Sequence, residues 1–166
     1  MWSRLVSTSN DRTVAVLRIA LGFVMLPHAL QKTLGLFGGA GVGGTLQFFN
    51  QMLGIPTVLG LLVILAETFG SLGLLLGFLG RAAAASIAAI MLGAIYLVHW
   101  NVGFFMNWTG TQAGEGFEYH ILALAIALAV MVKGSGAWSI DLRLAPARET
   151  TEEPKAQRVA ATQKAA

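Results

Sequence analysis

Long apolar runs alternate along this chain with short polar interruptions. Four runs stand out: Thr13 to about Leu36, Pro56 to Leu79, Ala82 to about Val102, and Phe117 to Val132. A helix rises ~1.5 Å per residue, so about 20 apolar residues cross the hydrocarbon of a bilayer. The pattern predicts an all-α fold, a four-helix transmembrane bundle with spans at about 13–36, 56–79, 82–102 and 117–133. Arg18 interrupts the first run and no small-x-small cleavage site follows, so that run reads as a retained span rather than a signal peptide.

The polar segments divide the chain further. Residues 1–12 form an N-terminal segment, 13–144 the membrane domain, and 145–166 a tail rich in Ala, Glu, Lys, Thr and Gln without an apolar period, which predicts disorder. The connection after the first span opens on a glycine-rich stretch from Gly35 to Gly44. No Lys-Ser/Thr follows it, which argues against a phosphate-cradling loop. In the next nine residues Leu46, Phe49 and Leu53 recur at helical spacing, which predicts a short interfacial helix between spans 1 and 2, the alternative being an ordinary surface loop. Small residues recur at every fourth position: Gly73 and Gly77, then Ala85, Ala89 and Gly93, then Ala123 and Ala127. Such stripes let helices approach closely inside a membrane.

Composition agrees with a lipid solvent. Hydrophobic residues make up 55% of the chain and charged residues 11%, against ~25% charged in soluble domains. The absence of cysteine removes disulfides, thiolate nucleophiles, iron–sulfur ligation and Cys-type zinc sites, so any redox role requires a bound cofactor. Of the 11 Lys and Arg residues, Arg4, Arg12, Arg81, Lys133, Arg143, Arg148, Lys155, Arg158 and Lys164 fall on one predicted side. Positive charge collects on the cytoplasmic side. Both termini are therefore expected in the cytoplasm of a multi-pass protein, and the basic balance reports topology rather than nucleic-acid binding.

Few polar side chains remain at membrane depth. Glu67 lies near the middle of the second run, where an acidic residue costs roughly 2.5–3.5 kcal/mol and needs a partner or a ligand. Arg18, about one and a half turns into the first span, is the simplest partner. The pair then either fixes helix register, or Glu67 binds a ligand or handles protons. His28 and Lys32 share a helix face at the outer end of the first span, and Lys32 also fits a snorkelling role. His99, Trp100 and Asn101 close the third span; Glu115, Glu118 and His120 open the fourth. These groups gather on one face, with Trp100, Trp108 and Tyr119 read as interfacial belt residues. There is no His-Glu-x-x-His and no Glu-x-x-His, which argues against a metal site, and nothing in the spacing favours haem. Ser139-Ile-Asp141, just past the last span, suits a turn in which the side chains bond backbone amides or meet Arg81 or Arg143.

Several motifs in order resemble the DoxX family of small bacterial inner-membrane proteins: Leu17-Arg-Ile-Ala-Leu-Gly22 with His28 and Lys32, Ala66-Glu67 with Gly70, Gly77 and Arg81, Gly116-Phe-Glu118, and Gly134-Ser-Gly-Ala-Trp-Ser139-Ile-Asp141. The resemblance covers about residues 13–143. It implies a four-span inner-membrane bundle whose polar set is Arg18, His28, Lys32, Glu67, Arg81, Glu118 and Asp141. Some relatives belong to oxidoreductase systems, among them a thiosulfate:quinone oxidoreductase and a membrane complex for thiol and superoxide stress; others have no assigned activity. The leading expectation is thus an oxidoreductase subunit that meets a quinone or similar lipophilic redox partner, with a soluble or membrane redox protein beside it. Glu67, Arg18, His28, Lys32, His99, Glu118 and His120 are its ligand or proton-handling candidates; Arg81, Ser139 and Asp141 are structural. A solute or proton permeation protein and a non-catalytic anchor are the alternatives.

Overall fold

The computed structural model describes residues 2–145. The tail predicted to be disordered lies, beyond Ala145, outside the described residues. Among the described residues all regular structure is helical: α1 (Trp2–Val6), α2 (Arg12–Thr33), a 3-10 turn (Leu36–Gly38), α3 (Gly41–Leu53), α4 (Thr57–Leu76), α5 (Gly80–Ala94) continued by a π turn (Ile95–His99), α6 (Glu118–Lys133) and α7 (Ile140–Leu144).

Three helical stretches are long and apolar enough to cross a membrane: Arg12–Thr33, Thr57–Leu76 and Gly80–His99. The fourth apolar run folds as α6, whose 16 residues fall short of the ~20 that a span by itself needs. Helix α2 packs on α4 and α6, and α5 packs on the same two, so the long helices close around a common core. Leu21, Met25, Leu74, Ala84, Ile87, Ala127 and Val130 fill it. Phe23, Leu62, Phe69, Leu92, Leu122 and Leu128 point outward and are exposed. Apolar inside and outside alike is the pattern of helices whose backbone bonds are satisfied internally and whose surroundings are lipid.

Local chemistry sets the helix ends. The Asp11 carboxylate accepts from Thr13 N at 2.9 Å and Val14 N at 3.2 Å, capping α2. The short helix predicted between the first two spans is present as α3 and starts earlier than expected, at Gly41. It buries Thr45 and Phe49 and packs against α4. Gly54 (φ 66°) and Gly77 (φ 64°) end α3 and α4 in the left-handed conformation that glycine adopts at no steric cost.

The small-residue stripes behave differently from one helix to the next. Ala123 and Ala127 are buried as predicted, and a Cβ on Gly73 would lie 3.0 Å from the Ala83 Cβ. In α5, however, the buried positions are Ala83, Ala84, Ile87 and Met91. Ala89 is exposed, and a Cβ on Gly93 would meet nothing within 4 Å. The stripe Ala85, Ala89, Gly93 therefore does not form the seam, because α5 is rotated to place its bulkier face inward. Gly77 serves as a turn rather than a packing groove. A Cβ there would strike Ser139 and come within 2.9 Å of the Arg18 guanidinium carbon. Gly77→Ala should cost about 2 kcal/mol or more through combined φ strain and overlap, whereas Gly93→Ala should be neutral or slightly stabilising. Thermal unfolding of the two variants in detergent checks the contrast; equal midpoints would contradict it.

Candidate functional site

Polar residues sort into two groups, one at each end of the helix core. At the end carrying α1 and α7, Arg18 is fully buried and its guanidinium donates only to backbone carbonyls. Nε reaches Ser135 O at 2.7 Å, Nη1 reaches Leu74 O and Leu75 O, and Nη2 reaches Ala137 O at 3.3 Å and Trp138 O at 3.2 Å. All five N–H donors of the fork are engaged. Leu74 and Leu75 lie in the last turn of α4, where carbonyls run out of intrahelical donors. The Gly77 N–H reaches Leu74 O at 3.3 Å, and Arg18 adds a donor to Leu74 O and supplies one to Leu75 O. Asp141 does the converse for α5: its carboxylate accepts from Leu79 N at 2.8 Å, Gly80 N at 2.9 Å and Ser135 Oγ at 2.5 Å, at the positive end of a helix dipole. Ser139 Oγ accepts from Leu142 N at 3.1 Å and caps α7. Arg81 clamps α6, donating to Met131 O and Val132 O, and ties it to Ser7 O.

The expected Arg18–Glu67 pair does not form. Arg18 meets α4 seven residues beyond Glu67, about 10 Å along the helix, and backbone carbonyls of α4 and of residues 135–138 occupy all its donors. Glu67 pairs instead with Lys32, whose Nζ lies 3.0 Å from Oε1 and also donates to His28 O at 3.3 Å. The lysine sits at the far end of α2 and folds its stem back toward the carboxylate. Its side chain keeps 26% exposure while that of Glu67 has 1%.

A cavity of about 810 Å³ opens beside that pair. Its walls are apolar over most of their extent, with contributions from α2, α3, α4, α5 and α6. His28, Lys32, Glu67, His99, Glu115 and His120 line it, so all three histidines of the chain and the midspan glutamate face one space. Arg18 and Glu118 do not line it. Glu118 Oε1 instead accepts from Met106 N and Trp108 Nε1, each at 3.2 Å, and so braces the loop that covers the cavity's side. Tyr119, expected at the membrane interface, turns inward, and its hydroxyl meets Met25 Sδ at 3.4 Å. Trp100 and Trp108 remain exposed.

The histidines are held in a defined way. The His99 Nδ1 proton is donated to Glu115 O at 2.7 Å, and the His99 and His120 rings lie 4.3 Å apart between centroids. The π turn at the end of α5 carries His99 into this position, and such single wide turns re-aim side chains within otherwise regular helices. Two buried polar atoms find no protein partner: Glu67 Oε2 and His120 Nδ1. Both residues line the cavity. An unmade bond at a buried polar atom costs ~1–3 kcal/mol, so these two atoms stand out among the residues of the site. Among the described residues no three His, Asp or Glu side chains are arranged to hold a metal ion.

The sequence drew attention to the ionisable residues of the cavity but not to its walls. Met25, Phe49, Ser86 and Tyr119 also line it. Met25 sits three residues before His28, the one sequence signal that could have placed it on the same face.

Apolar helices of spanning length around a cavity lined by a few polar side chains define a helical membrane protein with an internal cavity. The family model for DoxX matches residues 13–100, more than half of the 166 residues. The chain belongs to the DoxX family. That match takes in α2 to α5 and therefore His28, Lys32, Glu67 and His99; α6 with His120, and the turn holding Asp141, lie beyond it. No curated protein and no solved structure matches the chain.

Proposed function

We propose that this protein is a multi-pass subunit of an oxidoreductase system in the bacterial inner membrane, and that its cavity holds a quinone or a similar lipophilic redox partner. On this reading α6 is the fourth span of a four-helix bundle, with both termini cytoplasmic, and the cavity opens toward the external side. A soluble or membrane-bound redox protein completes the electron path.

One observation carries the reading: a largely apolar cavity of about 810 Å³ is lined by Glu67 and His120, each of which holds a buried, unpartnered polar atom, Oε2 and Nδ1. A lipophilic molecule with a polar ring head matches that division, its apolar part along the walls and its oxygens at the orphaned groups. The volume falls within the ~300–1,000 Å³ usual for small-molecule sites. Binding is favoured over permeation because the terminal end of the core is filled by Leu74, Ala84, Ile87 and the bonded Arg18, all fully buried. A route across the membrane would have to break that packing.

Titration of the purified protein with a decyl-substituted benzoquinone, in both redox forms, should give a saturable change in absorbance or tryptophan fluorescence. Gly93→Phe, which grows a ring from the cavity wall into open space, should weaken it at least tenfold. Absence of saturable binding by either form would remove the quinone reading.

A further inference from the structure

The charge state of the orphaned groups restricts which head group the cavity accepts. Glu67 Oε1 lies 3.0 Å from the Lys32 ammonium, and the same Nζ donates to His28 O. An ammonium and a carboxylate at this separation form an ion pair through a charge-assisted bond, which Glu67 accepts at Oε1. Glu67 Oε2 is then an acceptor only. It is buried and has no donor from the protein, and Glu67 is among the residues lining the cavity. Ser71, one turn further along α4, cannot serve it, because its hydroxyl donates to Glu67 O at 2.6 Å. Nor does Tyr119, whose hydroxyl is directed to Met25 Sδ.

The geometry points to a ligand that donates a hydrogen bond to Glu67 Oε2: the cavity takes the hydroxylated, reduced head of a lipophilic ring in preference to its carbonyl form. This inference rests on the proposed quinone-type ligand and specifies its redox form. A quinol presents O–H groups, one of which meets the carboxylate. A quinone presents acceptors only, and its oxygen against Oε2 would set two lone-pair-bearing atoms together while leaving the anion unsatisfied. His120 Nδ1 is the second buried orphan, and its ring stands against His99, whose Nδ1 donates to Glu115 O. No electron transfer is needed for this preference; it is a property of the resting site.

The test compares one ring in two states. Decyl-benzoquinone and its quinol, the latter kept reduced under anaerobic conditions, are titrated into the purified protein in nanodiscs at fixed pH. The quinol should bind at least tenfold more tightly, the scale of one hydrogen bond to a charged group. The neutral pair Lys32→Met/Glu67→Gln, which removes both charges and leaves no unpaired ion, should bring the two forms within about threefold of each other. Helicity and elution volume verify that this variant is folded. Equal binding of the two forms to the wild type, or tighter binding of the quinone, overturns the preference while leaving the quinone-type ligand standing. Binding of neither form overturns both readings together. Retention of a tenfold preference in the neutral pair overturns the role of Glu67.

Discussion

Arg18→Leu is expected to prevent accumulation of folded protein. Leucine fills part of the space but offers no donor, so carbonyls at Leu75, Ser135, Ala137 and Trp138 lose their bonds in a buried or part-buried region, and Leu74 O keeps only the Gly77 N–H at 3.3 Å. At ~1–3 kcal/mol for each unsatisfied buried group, even partial relaxation leaves a loss above about 4 kcal/mol. That is a large fraction of the 5–15 kcal/mol by which a domain is stable. Arg18→Lys retains the charge but supplies three donors from one point in place of a planar fork, so it should fall between wild type and Arg18→Leu. Yield of monodisperse protein after detergent extraction and the thermal midpoint by circular dichroism measure the series. An Arg18→Leu protein with an unchanged midpoint would show that these carbonyls find other donors, and the clamp would lose its importance.

Lys32→Met should destabilise the protein far more than Glu67→Gln, although the two substitutions break the same ion pair. Removing the lysine strands an anion whose side chain is 1% exposed, and an uncompensated buried charge costs roughly 3–5 kcal/mol. Removing the glutamate strands an ammonium that already keeps 26% exposure and can extend toward the headgroup region, so the loss should be nearer 1 kcal/mol. The double variant should recover most of the difference, since no ion is then left alone. Thermal midpoints of the three variants in one detergent give the comparison. Equal losses for the two single substitutions would mean that Glu67 is uncharged in the resting protein, and with it the argument for a donor ligand would fall.

Legibility in the sequence followed the range of the interactions involved. The apolar runs report directly on burial in lipid, so helix positions emerged within a few residues: the run read as Pro56 to Leu79 is α4 at Thr57–Leu76, and the run read from Ala82 begins at Gly80. The short helix after the glycine stretch was visible because Leu46, Phe49 and Leu53 keep helical spacing. Partnerships were not visible. Arg18 looked like the partner of Glu67 because both are charged and both lie in spans. A count of residues along one helix cannot reveal that the α4 carboxyl end, with its free carbonyls, comes to rest on Arg18. In the same way Glu118 looked like a ligand-facing acid, yet the loop returns to it and Met106 N and Trp108 Nε1 occupy Oε1.

By itself the sequence determined the solvent, the helical class, the family resemblance and the residues worth watching, because transfer of side chains to lipid is nearly additive and depends on local composition. Only the tertiary structure decided that Glu67 answers to Lys32, that the three histidines share one cavity, and that Glu67 Oε2 and His120 Nδ1 are left open within it. Those outcomes depend on the rotation and depth of each helix against its neighbours. A rotation of 100° per residue turns a one-position difference in register into a different set of partners.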